Sequence, residues 1–522
     1  MSKKNSISSR VGSDNSPSDE LNLVKADYDQ VDVAARLAAG DDAVSISEED
    51  ALRIKKNIDW HLLPLMCLLY LMQFADKTTL GQSAVLGLQT STHLSTNQFN
   101  WLSTIFYLSY LAFEYPQNLA LQRFPVGKWI SLNIFVWAVA LCTHAACTNF
   151  GGLFAVRFIL GICEGAITAG FLIVTSMFYT RAEQMLRVGY WFLMNGTAVI
   201  ILGFISFGVL HVKTGNFEPW QWLMIITGII TLITSVVFWF FFPDSPTNAR
   251  FLSAKDKRLA VLRIKANQTG VENKHFKPAQ LYEALCDPKT WLFAIVVAIC
   301  QIPNSLTNQR QLIVNMFGFT TIQTTLLGCV DGVIVIIAIY GSTKLASVFP
   351  NCRGYVTALW TLPGILGGIL VVTLPFSNKI GLLFSYWIAL IVNGCLPVLL
   401  GWVNSATAGH SKHISTNGIV LIAYAIGNAA GPFMWKEQYR PRNRVPWAIM
   451  IASNGVVAIL SLLIRFYLAR ENSLREREEY DATYDETFIV VEDEKGGMAK
   501  KKVDRAFLDL TDKQNREFRY VL

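Results

Sequence analysis

The spacing of the apolar runs constrains this chain most. Blocks long enough to cross a bilayer, parted by short polar breaks, recur from Trp60 to Leu468. A hydrocarbon core of ~30 Å needs about 20 apolar residues per helix, and twelve such spans can be drawn: 60–80, 97–121, 129–148, 152–179, 187–210, 220–242, 290–315, 323–346, 354–375, 381–403, 413–434 and 446–468. Inside lipid every backbone polar group must find its partner within the protein, so runs of this length span as helices. The expected fold class is all-α and integral to the membrane. With 52% hydrophobic and 16% charged residues, the composition also lies far from soluble averages.

The spans fall six and six around Pro243 to Lys289, a stretch rich in lysine and arginine with no apolar run. The expected organisation is a tail over 1–56, a six-helix bundle over 57–242, a central loop over 243–289, a second bundle over 290–468 and a tail over 469–522. The serine-rich start has no apolar segment or cleavage site of a secretory signal and reads as a disordered cytosolic tail. Basic residues concentrate in loops on one side: Arg123 and Lys128, Arg181 and Arg187, the central stretch, Lys344 and Arg353, and Lys412. That bias puts both termini in the cytosol. The last outer loop, KEQYRPRNR, runs against the rule and reads as an interfacial segment or a local attractor of anions.

The formal charge of +7 is dispersed and interleaved with acids, which argues against nucleic acid. The cysteines form no CxxC or ligand cluster, so no metal or cofactor is expected. Two loops, QRFPVGKW and GSTKLASVFPNCRG, hold matching places two helices into each half and hint at duplication. The small-residue pairs Gly161 and Gly165, Gly364 and Gly368, and Gly427 and Gly431 read first as close helix contacts.

Charges inside the spans point to function, because a charge near the bilayer centre costs at least ~2.5–3.5 kcal/mol and usually faces a cavity or the bundle interior. The fourth span carries RFILGICEG, with Arg157 and Glu164 seven residues apart on one helix face and Gly161 between them. The glycine is expected to leave open space beside both charges. Asp76 and Lys77 lie in the first span, Glu114 in the second, Arg310 in the seventh and Asp331 in the eighth. Lys77, Arg157 and Arg310 are candidate contacts for an anion, the arginines as planar forks suited to a carboxylate. Arg310, near the outer end of its span, reads first as a residue snorkelling to the interface. Glu164, Asp76, Glu114 and Asp331 are candidate proton carriers, with helix pairing as the alternative for Glu114 and Asp331.

Several stretches resemble one family. KKNIDWHLLPLMCLLYLMQFADK (55–77), RFILGICEG, WFFFPDSPTNARFL (239–252), IGNAAGP (426–432) and the closing FRYVL are similar to the fungal allantoate permease group, in the anion:cation symporter branch of the major facilitator superfamily. The resemblance covers roughly residues 50 to 470 and implies a twelve-helix carrier whose two bundles rock about a central site. It implies movement of a carboxylate with a proton. In the related vesicular glutamate transporters and sialin, cations on the first and fourth helices are tied to anion binding, which matches Lys77 and Arg157 here. The fourth-helix glutamate, tied there to proton sensing, matches Glu164. The first-helix position is commonly arginine in that branch and is lysine here, a point charge without the fork.

The expected function is therefore proton-coupled symport of a small organic anion such as allantoate, ureidosuccinate, nicotinate or another carboxylate. The expected partners are that anion, protons and the bilayer, and the working unit a monomer. The plasma membrane is the first location, the endoplasmic reticulum or another internal membrane the second. A vitamin-pathway carrier, thiamine-related for example, and a non-transporting sensor are the alternatives. No HExxH or GxSxG motif lies in the spans, so an enzyme is not expected. His410 and His413 lack a third ligand nearby and read as loop residues.

Overall fold

A computed structural model describes residues 24–25, 47–212, 217–264, 277–439, 441–478, 487–492, 498–502 and 509–522. The serine-rich start and Arg440 of the last outer loop lie outside them.

Helix starts follow local chemistry. α1 (Glu48–Val85) begins where the Ser47 hydroxyl accepts from the Asp50 N–H, with Glu48, Glu49 and Asp50 on its positive end. α2 (Thr96–Arg123) opens with a reciprocal capping box between Ser95 and Gln98. The first half continues through α3 (Val126–His144), α4 (Phe150–Phe178), α5 (Arg181–Phe192), α6 (Met194–Leu210) and α7 (Pro219–Phe241). Two short helices, α8 (Ala254–Ile264) and α9 (Pro278–Cys286), occupy the central stretch. The second half holds α10 (Pro288–Gln301), α11 (Leu306–Met316), α12 (Thr321–Val348), α13 (Arg353–Thr373), α14 (Lys379–Leu390), α15 (Cys395–Ser405), α16 (His410–Ala430) and α17 (Arg444–Arg475). α12 opens with the same device as α2, a capping box between Thr320 and Gln323.

Among the described residues, ten helices are long and apolar enough to cross a membrane, and eleven if α9 and α10 with its following turn, bent by 66°, count as one span. The second expected span, α2, is long enough at 28 residues but falls outside that set. Its inward face carries Glu114, Gln117, Asn118 and Gln122, all buried. Polar side chains turned toward protein rather than lipid lower the average without barring the span.

The halves meet along two seams, α2 against α16 and α5–α6 against α12. Each seam joins a second span of one half to a fifth span of the other, the reciprocal pattern expected of duplicated bundles related by a two-fold axis. The two loops suspected of repetition follow suit: Phe124–Pro125 leads into α3 and Phe349–Pro350 precedes α13.

The paired glycines are helix contacts. A Cβ on Gly427 would strike the Ala298 carbonyl of α10, one on Gly364 would sit 2.6 Å from Asn454 Nδ2 of α17, and one on Gly161 would strike Ser109 and the Phe106 carbonyl of α2. Gly161 therefore seats α4 on α2, and the expected open space beside it is filled. Replacing Gly427 by valine forces the α10–α16 backbones apart and is expected to destabilise by about 1–3 kcal/mol. A fall in the detergent-resistant melting temperature would measure it.

Three expectations for the polar segments need correction. The central stretch is not a bare loop: Asp244 accepts from the Gly127 N–H at the start of α3, and Arg53 pairs with Asp256 at 2.7 Å. The tails are not wholly unstructured either. Val24–Lys25 pairs in parallel with Thr487–Phe488, and Thr487–Glu492 pairs antiparallel with Met498–Lys502. α17 runs past 468 to Arg475, and residues 509–522 pack against the end of the bundle that carries both termini. Carboxylates and carbonyls that satisfy buried cations explain this docking, which apolar periodicity does not register. His410 and His413 stand in the first turn of α16 rather than in a loop.

Candidate substrate site between the halves

α10 ends just before Pro303, which has no N–H to donate, and the chain makes one tighter 3₁₀ turn over Ile302–Ser305 before α11 resumes. That break turns Asn304, Thr307 and Arg310 toward the centre of the molecule. There they line a cavity of ≈ 1210 Å³, its mouth included, with Lys77 of α1 and Asp331 of α12. A second cavity of ≈ 920 Å³ shares Lys77, Asn304, Thr307 and Tyr424 with the first and adds Arg157 of α4 and Tyr107 of α2. A third space against Gly81, Gln82 and Leu202 joins both. Gly81 lies in the last two turns of α1, remote from its Glu48 start, with Leu202 midway along α6, so the vestibule extends that way.

The opposite end is closed. Gln122 of α2 donates to the Ser411 hydroxyl of α16 at 3.0 Å, and Asn404 of α15 donates to Gln184 of α5 at 3.1 Å. Met185 of α5 packs its thioether over Gly401 of α15.

Lys77 forms an ion pair with Glu164 at 3.2 Å, with Glu164 1% exposed. Arg157, 3% exposed, lines the second cavity, and its Nε and Nη2 have no hydrogen-bond partner among the described residues. Leaving charged N–H groups buried and unmet is costly, and a ligand that supplies oxygens removes that cost. Arg157 and Glu164 do not bond to each other, as their seven-residue spacing suggests.

In the second half Arg310 is buried rather than extended to the interface. Its Nε lies 3.5 Å from Asp331, and its guanidinium packs where a Cβ on Gly328 would stand 2.8 Å from Nη2. Asp331 also accepts from Trp387 Nε1 at 2.9 Å and from the Tyr386 hydroxyl at 3.2 Å. The two aromatics, unmarked in the sequence because aromatics are common in spans, fix the carboxylate that orients Arg310.

The remaining two carboxylates stand away from the cavities. Asp76 accepts from the Thr231 hydroxyl of α7 at 3.0 Å. Glu114 accepts from Asn118 at 2.8 Å, in a recess that Gly165 leaves open on α4. Arg442 of the basic loop donates to the Val372 carbonyl at 3.4 Å and stacks over Phe376, a packing role. No group of three or more histidine, cysteine or acidic side chains able to hold a metal occurs among the described residues.

Two helical halves around a buried, charge-lined cavity, closed at one end and extended toward the other, describe an integral multi-pass membrane transporter. The chain belongs to the Major Facilitator Superfamily, whose family model matches residues 66–432. It is 32% identical to an uncharacterized transporter of Schizosaccharomyces pombe, over 94% of this chain and 91% of that one. It is 32% identical to a thiamine pathway transporter of Saccharomyces cerevisiae, over 91% and 87% of the two chains. It is 30% identical to the allantoate permease of the same yeast, over 95% and 91%. Among solved structures, the proton:xylose symporter XylE aligns with a TM-score of 0.58 at 13% identity, over 79% of this chain and 95% of that one, a likeness of fold alone.

Proposed function

We propose that the protein is a proton-coupled symporter of a small organic anion, of the allantoate permease group, working by alternating access as a monomer. Both termini lie in the cytosol in this reading, with the plasma membrane as the first location. The observation that carries it is Arg157, a buried guanidinium facing the cavity beside Lys77 with two nitrogens unmet. An incoming carboxylate satisfies that fork.

Coupling follows from the Lys77–Glu164 pair. While Glu164 is ionised it occupies Lys77; a proton on Glu164 releases the ammonium to the anion. Proton and anion then favour each other's binding by the same factor, as linkage requires. Asp76, Glu114 and Asp331 hold secondary places in this scheme, since none forms an ion pair with Lys77, and Arg310 supplies a cation from the second half.

The first cavity is lined by six carboxamides, Gln73, Asn195, Gln301, Asn304, Asn393 and Asn454. Each offers a donor and an acceptor. That lining suits an anion rich in hydrogen-bonding groups, such as allantoate or ureidosuccinate, better than nicotinate. A vitamin-pathway cargo, as the yeast relative's name suggests, fits if it is anionic, because a cation would leave Arg157 unmet.

Purified protein in liposomes, given radiolabelled allantoate, ureidosuccinate and nicotinate, is expected to accumulate a carboxylate only under an inward proton gradient. Equal uptake without the gradient would remove the coupling. Binding without uptake of any of them would favour a sensor.

A further inference from the structure

The FRYVL ending and the acids before it take no part in the cavity, yet they are among the most buried polar residues of the chain. Asp509 is 3% exposed, Thr511 and Asp512 are fully buried, and Tyr520 is 5% exposed. Their partners lie on the short loop between α15 and α16 and on the helices around it. Asp509 accepts from the His410 N–H at 2.6 Å and pairs with Lys277 at 2.8 Å. Asp512 accepts from the Ala408 N–H at 3.3 Å and pairs with Lys289 at 2.6 Å and Lys412 at 2.8 Å. The Tyr520 hydroxyl donates to Asp512 at 2.6 Å and accepts from Arg475 at 2.8 Å. Trp402 of α15 donates to the Val521 carbonyl at 2.7 Å, and the Arg353 N–H of α13 to that of Leu522 at 2.8 Å. The segment thus ties α10, α13, α15, α16 and α17 together at one end.

The loop it grips bears the closed end of the vestibule on its two flanks. Asn404, which donates to Gln184 of the first half, stands just before it; Ser411, which accepts from Gln122 of the first half, stands just after it. His413 holds the Asn404 carbonyl at 3.1 Å and closes the loop on itself. A loop with Gly409 at φ +87° has no regular hydrogen-bond ladder of its own to fix its shape. Asp509 and Asp512 supply that restraint by accepting its N–H groups.

We propose that residues 509–522 form a latch whose Asp512 and Tyr520 position the α15–α16 loop, so that Asn404 and Ser411 hold the end near the termini shut. The latch rests on the alternating-access reading above. It acts through position, since it touches neither the cavity nor its charges. Burial alone would raise the Asp512 carboxyl, but Lys289 and Lys412 outweigh it and hold the group far below the usual carboxylate range. A group depressed in this way contributes its restraint at every pH above its unfolded value of about 4 and loses it only in stronger acid.

The test reads gate opening without any substrate. Met185, 1% exposed under Gly401, is replaced by cysteine in the full chain, which is set in lipid nanodiscs and treated with a membrane-impermeant maleimide. Labelling is resolved by peptide mass spectrometry, with the exposed native Cys286 as the control for reagent and the buried native Cys395, unlabelled only in a folded chain, as the control for folding. Asp512→Asn removes the charge and keeps the shape, while Lys412 retains Glu283 at 2.8 Å and Asp287 at 2.9 Å. The rate at Met185→Cys is expected to rise about tenfold, the scale of one lost charge-assisted contact. Tyr520→Phe, which removes hydrogen bonds to the charged Asp512 and Arg475, is expected to raise it by a similar factor. Should Asp512→Asn fail to fold, Tyr520→Phe carries the test. An unchanged rate at Met185→Cys in a variant whose Cys286 labels normally and whose Cys395 stays unlabelled overturns the latch. A parallel Ser103→Cys variant reports the other cavity. A rise at Met185→Cys with no fall at Ser103→Cys supports the latch and counts against alternating access.

Discussion

Arg157→Met is expected to abolish the proposed carboxylate uptake and to leave the melting temperature of the empty protein unchanged or higher. The two effects separate because two of the three guanidinium nitrogens make no hydrogen bond in the empty state among the described residues. Its Nε and Nη2 meet no hydrogen-bond partner among the described residues, and it is 3% exposed. An apolar chain of similar length removes the desolvation penalty of the unmet N–H groups, which offsets the lost attraction to Glu164 and Asp76. The bound anion, in contrast, loses charge-assisted hydrogen bonds worth ~1.5–3 kcal/mol apiece, so affinity should fall about a hundredfold or more. Arg157→Lys keeps the charge and loses the fork, and a fall of about tenfold is expected. Calorimetry with allantoate and a thermal melt on the same preparations measure both. A Met variant that melts lower and still binds would show that Arg157 braces the helices and does not serve the ligand.

Much of this arrangement is legible in the sequence, because a bilayer permits few solutions. The run lengths give the helices, and the rarity of intramembrane charge singles out seven residues, of which Lys77, Arg157, Arg310 and Asp331 line the cavities, Glu164 pairs with Lys77, and Asp76 and Glu114 stand apart. Periodicity does not reveal which charge meets which. Glu164 is reached from α1 by Lys77, and Asp76, next to it in sequence, turns a third of the helix away toward Thr231. The break at Pro303 is visible as a proline but does not announce that Asn304 and Arg310 turn inward with it. The Ser95–Gln98 and Thr320–Gln323 boxes carry a clearer trace of duplication than the loops first compared, since cap chemistry recurs where side chains on the surrounding faces have diverged. The latch is hidden for a different reason. Its acids resemble any solvated tail, and only buried lysines distant in sequence, Lys289 and Lys412, make them structural.

Glu164→Gln is expected to make anion binding independent of pH and to end accumulation driven by a proton gradient, with counterflow exchange intact. The parent is expected to bind its anion more tightly as pH falls, because a proton on Glu164 frees Lys77, and one linked proton sets a limit of about tenfold per pH unit. Glutamine mimics the protonated carboxyl at every pH, so its affinity at alkaline pH should match the parent's in acid. Exchange persists because it needs the anion site and the rocking of the halves, neither of which requires net proton movement. Asp76→Asn, Glu114→Gln and Asp331→Asn leave the Lys77–Glu164 pair in place and should keep the parent's pH slope. If one of these, rather than Glu164→Gln, flattens the slope, the proton travels on that residue. The anion would then meet a Lys77 still held by Glu164 at 3.2 Å, and Arg157 alone would have to carry the binding.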